Sequence, residues 1–118
     1  MFEVGQLVTC KELGRYAVTD RGKPLRVVSV GSETVRVETL WDLTEQYRLR
    51  KDTLRPMDEK EILKKGQLVK VVANDEVVIA RFDSYLDYGI RVILENGMSY
   101  TLVMMHLIAS NVRGGLYV

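Results

Sequence analysis

The sequence predicts an all-β chain of two small barrels in tandem, and three observations carry that expectation. The phrase Tyr47-Arg48-Leu49, four residues, Leu54 returns as Tyr100-Thr101-Leu102, four residues, Leu107. Each copy closes a segment opened by Gly-Gln-Leu-Val, at Gly5 to Val8 and at Gly66 to Val69, so one unit is written twice. Between these marks lie short stretches rich in β-branched residues and broken by Gly, Asn and Asp, at the period of strands. The expected division is barrel 1 over 1–57, a linker over 58–65 and barrel 2 over 66–118. A unit of about 55–60 residues buries only ~60% of its unfolded surface, so the two are expected to pack together.

Apolar residues make up 47% of the 118, a composition of folded rather than disordered chains. Seventeen basic residues against sixteen acidic leave a formal net charge of +1, which argues against a protein held mainly by phosphates or an anionic membrane. Cys10 is the only cysteine, which excludes an intramolecular disulfide and a multi-cysteine metal site. No segment has the pattern of a signal peptide, and no run approaches the ~20 apolar residues of a membrane span. A cytoplasmic setting, in a bacterial or an infected host cell, is the expectation, with no cofactor and no metal.

In chain order, Leu7-Val8-Thr9-Cys10 alternates like a half-buried strand and matches Leu68-Val69-Lys70-Val71, which sets Cys10 in the place of Val71, a small buried hydrophobe. From Lys11 to Pro24 barrel 1 carries a long first loop with breakers at Gly14, Gly22 and Pro24. Connections of this length inside compact domains are uncommon unless they bind something, so Arg15, Tyr16, Arg21 and Lys23 are candidate partner contacts. The alternative is an arm packed on its own barrel through Leu13, Tyr16 and Val18.

Second strands are expected at Leu25 to Val30 and Val77 to Phe82. They are followed by a tight reversal at Gly31-Ser32-Glu33 in the first unit and a longer one, Asp83 to Gly89, in the second. Asn96-Gly97 is the strongest hairpin signal, since both residues tolerate the positive φ of a type I′ turn. The matching link in the first unit, Trp41-Asp42-Leu43-Thr44, carries the sole tryptophan, either an exposed partner anchor or a plug in the end of its own barrel. Asp58 is placed to cap a short helical turn over Glu59 to Lys64, with Gly66 just past its end. The tail, Asn111 to Val118, either frays or adds a strand to a sheet edge.

Because successive strand residues face opposite sides, Tyr47, Leu49, Tyr100 and Leu102 point inward with Val35, Val37, Ile90 and Val92. The outward positions differ between copies: Arg36, Glu38, Arg48 and Arg50 in the first, Arg91, Ile93, Thr101 and Val103 in the second. Together with Lys51 and Arg55, the arginines Arg36, Arg48 and Arg50 form a basic face, an alternative nucleic-acid site, with Glu38 and Glu45 placed to separate the charges. Ile93 and Val103 are outward-facing aliphatics that mark a covered face, an interface with the first unit, a second copy or a partner.

The strand order and the opening Val-Gly-Gln-Leu-Val and Lys-Gly-Gln-Leu-Val, with the closing Tyr-x-Leu and Leu54-Arg55-Pro56, resemble the SH3-like barrels of the Tudor, KOW and related families. The resemblance covers nearly the whole chain and implies two tandem SH3-like barrels. Asp87-Tyr88-Gly89 is similar to the Asp-Tyr-Gly of Tudor domains, which would imply an aromatic cage from Phe82, Tyr85, Tyr88 and Tyr100 with Asp83 or Asp87. Here the tripeptide precedes the third strand instead of following it, and the alternative is that these tyrosines pack their loop onto the barrel. The compact form with Tyr-Ala-Val-Thr-Asp-Arg-Gly also looks like small phage-encoded proteins, which would imply an inhibitor or modulator of a host complex.

No phosphate-cradling glycine loop or nucleophile elbow is present, and His106, the sole histidine, matches Thr53 in a turn. The leading expectation is a non-catalytic interaction module that binds a protein partner through Arg15, Tyr16, Arg21, Lys23 and Trp41. The alternatives are a nucleic-acid-binding accessory protein using the basic face of barrel 1, and a structural or homo-oligomerising protein closing through Ile93 and Val103.

Overall fold

The computed structural model describes residues 1–11, 21–41, 44–87, 89–103 and 106–109. The chain divides into two compact units, Met1–Ile62 and Leu63–Val118. Unit 1 contains β1 (Leu7–Cys10), β2 (Leu25–Val30), β3 (Thr34–Thr39), β4 (Gln46–Arg50) and β5 (Leu54–Pro56). Unit 2 contains β6 (Leu68–Ala73), β7 (Glu76–Leu86), β8 (Gly89–Ile93), β9 (Ser99–Leu102) and β10 (Leu107–Ala109). Among the described residues no helix is long and apolar enough to cross a membrane.

Each unit is one five-stranded antiparallel sheet, ordered β4-β3-β2-β1-β5 and, in the same sense, β9-β8-β7-β6-β10. Barrels were expected, whereas each hydrogen-bonded ladder ends at its fourth and fifth strands without closing. The sheet of unit 1 nevertheless curls round a single core: Val8, Cys10, Leu25, Val27, Val35, Val37 and Leu54 form one buried cluster, and Phe2, Trp41, Tyr47 and Leu49 pack against it. In unit 2 the buried side chains include Val69, Val71, Ala80, Phe82, Tyr85, Ile90, Val92 and Leu102. Burying a Val, Leu or Ile side chain contributes ~1.5–3 kcal/mol, so this inward row is the main source of stability in each sheet.

The two units share backbone register. Cys10 pairs with Leu54 and Val71 with Leu107, which makes Cys10 and Val71 equivalent buried positions. Before the first strand each chain turns through a glycine at φ +88, Gly5 and Gly66, where an L side chain is strained. Gly5 N–H donates to Val27 O and Gly66 N–H to Phe82 O, both at 2.8 Å. Gln6 Oε1 accepts from Glu3 N–H and Gln67 Oε1 from Lys64 N–H, both at 3.0 Å. Arg26 Nη1 then donates to Gly5 O (2.8 Å) and Arg81 Nη1 to Gly66 O (3.1 Å), so an arginine from the second strand holds the entry turn of each unit.

Gly5 and Gly66 stand 61 positions apart but Arg26 and Arg81 only 55, so the first loop of unit 1 is six residues longer. Its effect on pairing is direct. β1 and β2 share the pairs Leu7 with Arg26 and Val8 with Leu25, whereas β6 and β7 run from Leu68 with Arg81 to Ala73 with Glu76.

Several expectations about local structure are corrected. β1 is not half-buried: Leu7, Val8, Thr9 and Cys10 are all buried, as befits a strand flanked by β2 and β5. The longer reversal of unit 2 is strand, because β7 runs on through Leu86. Register shifts between Phe82 and Ser84 against β8, and at the matching place between Val27 and Ser29 against β3. A bulge absorbs the extra residue, Asp83 or Val28, and lets Phe82 and Tyr85 both turn inward although three residues apart. The type I′ turn lies at Asn74-Asp75, where φ is +52 and +63, and not at Asn96-Gly97. There Gly97 N–H bonds to Leu94 O and Leu94 N–H to Met98 O, a three-residue loop with only the glycine left-handed.

Asp58 does cap a turn, a single 3-10 turn over Glu59–Glu61. The Asp58 carboxylate accepts from Lys60 N–H and the Glu61 carboxylate from Asp58 N–H, a complete capping box. The turn is shorter than the expected one to Lys64 because Ile62 is already extended.

Candidate interaction face of unit 1

Alternation along β2, β3 and β4 lays a polar row across the outside of unit 1. Ser29 pairs with Arg36 and Arg36 with Arg48, so their side chains stand side by side at about the 4.8 Å spacing of adjacent strands. Both arginines are exposed. Together with Val30, Gly31, Ser32 and Thr34 from the tight turn between β2 and β3, the row lines a shallow groove of ≈ 310 Å³. Its hydroxyls come from Ser29, Ser32 and Thr34.

Two arginines directly opposite across strands repel by a few tenths to ~1 kcal/mol. Glu38 and Glu45 form no ion pair with either arginine: Glu38 stands between Arg26 and Gln46 in the ladder, and the Glu45 carboxylate accepts from the Tyr47 hydroxyl. Among the described residues neither Arg36 nor Arg48 has an ion-pair partner.

The remaining cations of the expected basic face are differently occupied. Arg50 is bonded to Asp52 at 2.9 Å, both well exposed. Arg55 forks onto Glu61 at 2.8 and 3.2 Å. This contact, first by hydrogen bonding and then by charge, raises the Arg55 pKa. The same Arg55 hydrogen bond and the one from Asp58 N–H lower that of Glu61. Lys51 opens the 3-10 turn Lys51–Thr53 and is half-buried. The basic face therefore contracts to Arg36 and Arg48, with Arg50 screened at its margin.

The contacts expected of the long first loop separate likewise. Arg15 and Tyr16, with Leu13 and Val18, lie outside the described residues. Arg21 is exposed and its backbone forms a parallel bridge with Cys10. Lys23 is fully buried, with Nζ 4.3 Å from the centroid of the Trp41 ring, so it offers no charge to a partner. Leu25 pairs with Thr39, and Lys23 and Trp41 are each two residues further on, so alternation brings both to the same end of the core. A desolvated cation over an indole face is worth ~2 kcal/mol. Trp41 is accordingly half-buried and packed on the core, a plug rather than a free anchor.

In unit 2, Ile93 is half-buried between Arg81 and Ser99 in the ladder, and Val103 is 37% exposed. The row Arg91 with Thr101 lies between them, so they stand about 13 Å apart along the strands and do not form one apolar patch. Phe82 and Tyr85 are buried, with ring centroids 4.9 Å apart edge to face, and the Tyr85 hydroxyl accepts from Leu63 N–H at 2.8 Å. The Tyr100 hydroxyl accepts from Asn74 Nδ2 at 3.0 Å. Two of the four aromatics of the implied cage are thus core residues, and Tyr88 lies outside the described residues. Cys10 is likewise core.

The groove hydroxyls escaped sequence reasoning. A signal was present in Arg26-Val27-Val28-Ser29 and Arg81-Phe82-Asp83-Ser84, which place a serine at the same step past the bulge in both units. The unit 2 row equivalent to Ser29, Arg36 and Arg48 is Ser84, Arg91 and Thr101, so the arginine pair is peculiar to unit 1.

By strand order and register the protein is an all-β chain of two small five-stranded antiparallel units that repeat one another. No protein-family model matches the sequence, and no curated protein matches it. Similar solved structures include the ADCP1 tandem Agenet domain 3-4, 18% identical over 92% of this chain and 80% of that one, TM-score 0.38. Another is Arabidopsis thaliana AGDP1 AGD34, 17% identical over 92% of this chain and 82% of that one, TM-score 0.39.

Proposed function

We propose that the protein is a non-catalytic interaction module and that unit 1 engages a protein partner through the outward face of β2, β3 and β4. The observation that carries this reading is the Arg36 and Arg48 pair, set opposite one another without a neutralising acid among the described residues. Folded proteins usually intersperse charge, and an uncompensated pair on a rigid ladder costs stability that a bound anionic group returns. Cys10, the one thiol, belongs to the core cluster, which fits scaffold rather than chemistry. Arg21 is exposed at the end of the long loop and bridges Cys10, away from the groove lining. Lys23 and Trp41 close one end of the core.

The test is capture of partners from the native host with the full chain as bait. Reversing the row with Arg36→Glu and Arg48→Glu is expected to abolish a specific prey, while Arg91→Glu, the matching change in unit 2, leaves it. Retention of the same prey by the double variant, with a native circular dichroism spectrum, would contradict the assignment.

A further inference from the structure

The geometry points to a phosphoryl group as what the groove takes: a phosphorylated side chain of a peptide segment seated between Arg36 and Arg48. This rests on the interaction face proposed above and names the chemistry of its ligand.

Charge favours a phosphoryl group. Two guanidiniums on directly paired residues concentrate two positive charges in one groove. A phosphorylated side chain, at about −1.5 to −2 near neutral pH, balances both, whereas a carboxylate would leave one cation uncompensated. Donor count favours it too. Around the pair stand the hydroxyls of Ser29, Ser32 and Thr34, and the guanidinium fork matches phosphoryl oxygens two at a time. That supply exceeds what the two oxygens of a carboxylate accept and suits the three terminal oxygens of a phosphate ester.

The extent of the charge favours a phosphorylated peptide over a nucleic-acid backbone. A polyphosphate needs a track of cations, one for each phosphate neutralised. That track breaks off: Arg50, beside the groove, is held by Asp52, and Arg55 lies across the sheet on β5, held by Glu61. What remains is a point of charge, sized for one phosphoryl group.

The two units also differ at this place. Unit 2 has the serine and one arginine but Thr101 in the place of Arg48. It also runs β7 on through Leu86, where unit 1 turns tightly and opens the groove.

The test is heteronuclear NMR of the full chain titrated with O-phospho-L-serine and with inorganic phosphate, with L-serine, L-glutamate and sodium chloride at matched ionic strength as controls. Both phosphoryl probes are expected to shift the amides of Ser29 to Thr34 and the side chains of Arg36 and Arg48. Arg48→Thr, which copies unit 2, is expected to weaken binding about tenfold or more, and Arg91→Thr to leave it unchanged. Threonine suits an exposed strand position, and an unchanged amide spectrum elsewhere certifies the fold of the variant. Equal shifts with L-glutamate or chloride would overturn the inference. So would displacement of phosphoserine by a short DNA duplex with a steep salt dependence, which would assign the face to nucleic acid. Silence of both phosphoryl probes while Arg36→Glu with Arg48→Glu still abolishes partner capture would remove the phosphoryl chemistry alone. Loss of that sensitivity as well would remove the interaction face.

Discussion

Gly89 admits no side chain. A Cβ there would lie 2.0 Å from Leu102 O and 2.9 Å from the Val103 Cα, at a φ of +128, so the start of β8 and the end of β9 approach closer than any L residue permits. Gly89→Ala is expected to cost more than about 3 kcal/mol in chemical denaturation, from overpacking and backbone strain together. Gly66→Ala, at a positive φ but with open space around it, is expected to cost only about 1 kcal/mol. The glycine of Asp87-Tyr88-Gly89 thus answers to backbone packing.

Tyr85 makes a second residue-scale case. Burial pushes its pKa up to about 12, against a smaller lowering by the hydrogen bond from Leu63 N–H. Because the folded value lies above the unfolded one, near 10, the neutral phenol's contribution to stability is complete below about pH 10. It is lost as pH rises through about 12. Alkaline titration by ultraviolet absorbance is expected to find one tyrosine ionising last, and Tyr85→Phe to remove that step. Lys23 shows why such detail is not legible in sequence: a lysine in a polar loop is ordinarily exposed, and only the pairing of Leu25 with Thr39 brings it over Trp41.

At the scale of elements, strands were more legible than turns. β4 and β9 alternate as Tyr-x-Leu requires, and Leu25–Val30 is a strand to the residue. β7 was cut short at Phe82 because Asp83 and Ser84 are turn formers by composition, whereas a bulge carries them within the strand. Asn96-Gly97 carries the stronger type I′ signal in sequence because glycine is the usual second residue, yet loop length puts that turn at Asn74-Asp75. Ala73 pairs directly with Glu76, which leaves two residues and demands positive φ at both. Asp75→Gly is therefore expected to stabilise the β6-β7 hairpin by a few tenths to ~1 kcal/mol, read as a rise in the denaturation midpoint.

The capping box at Asp58 and Glu61 gives a pH prediction. The pKa of Glu61 is lowered first by the Arg55 hydrogen bond. Its contribution is therefore present above the ordinary carboxylate range and lost as pH falls through the lowered value. The pair is over a third exposed, so solvent screening keeps the effect small. Glu61→Gln is expected to lower stability by about 0.5–1 kcal/mol at neutral pH, and the gap from wild type should narrow in acid.

Over the whole molecule, the repeat was legible because its marks are obligate. Gly5 and Gly66 share one left-handed φ, and Gln6 and Gln67 bridge the same turn. The arginine clamp at Arg26 and Arg81 was not, since the offset between copies changes from 61 to 55 across the long loop and hides the correspondence. The candidate site was legible only in part. Arg36 and Arg48 follow from alternation, but the loss of Arg55 to Glu61 and the hydroxyl lining from Ser29, Ser32 and Thr34 follow from where the chain turns. On the function proposed above, the two copies of one sheet differ where binding would fall, since one of them carries the arginine pair.

The measurement that tests this most directly is site-specific photo-crosslinking of the full chain in its native host, from Ser32 beside the groove and from Thr101, which holds in unit 2 the place of Arg48. The account predicts one discrete protein adduct from Ser32, lost with Arg36→Glu and Arg48→Glu, and none from Thr101. The same adduct from both positions, or from Thr101 alone, would contradict it.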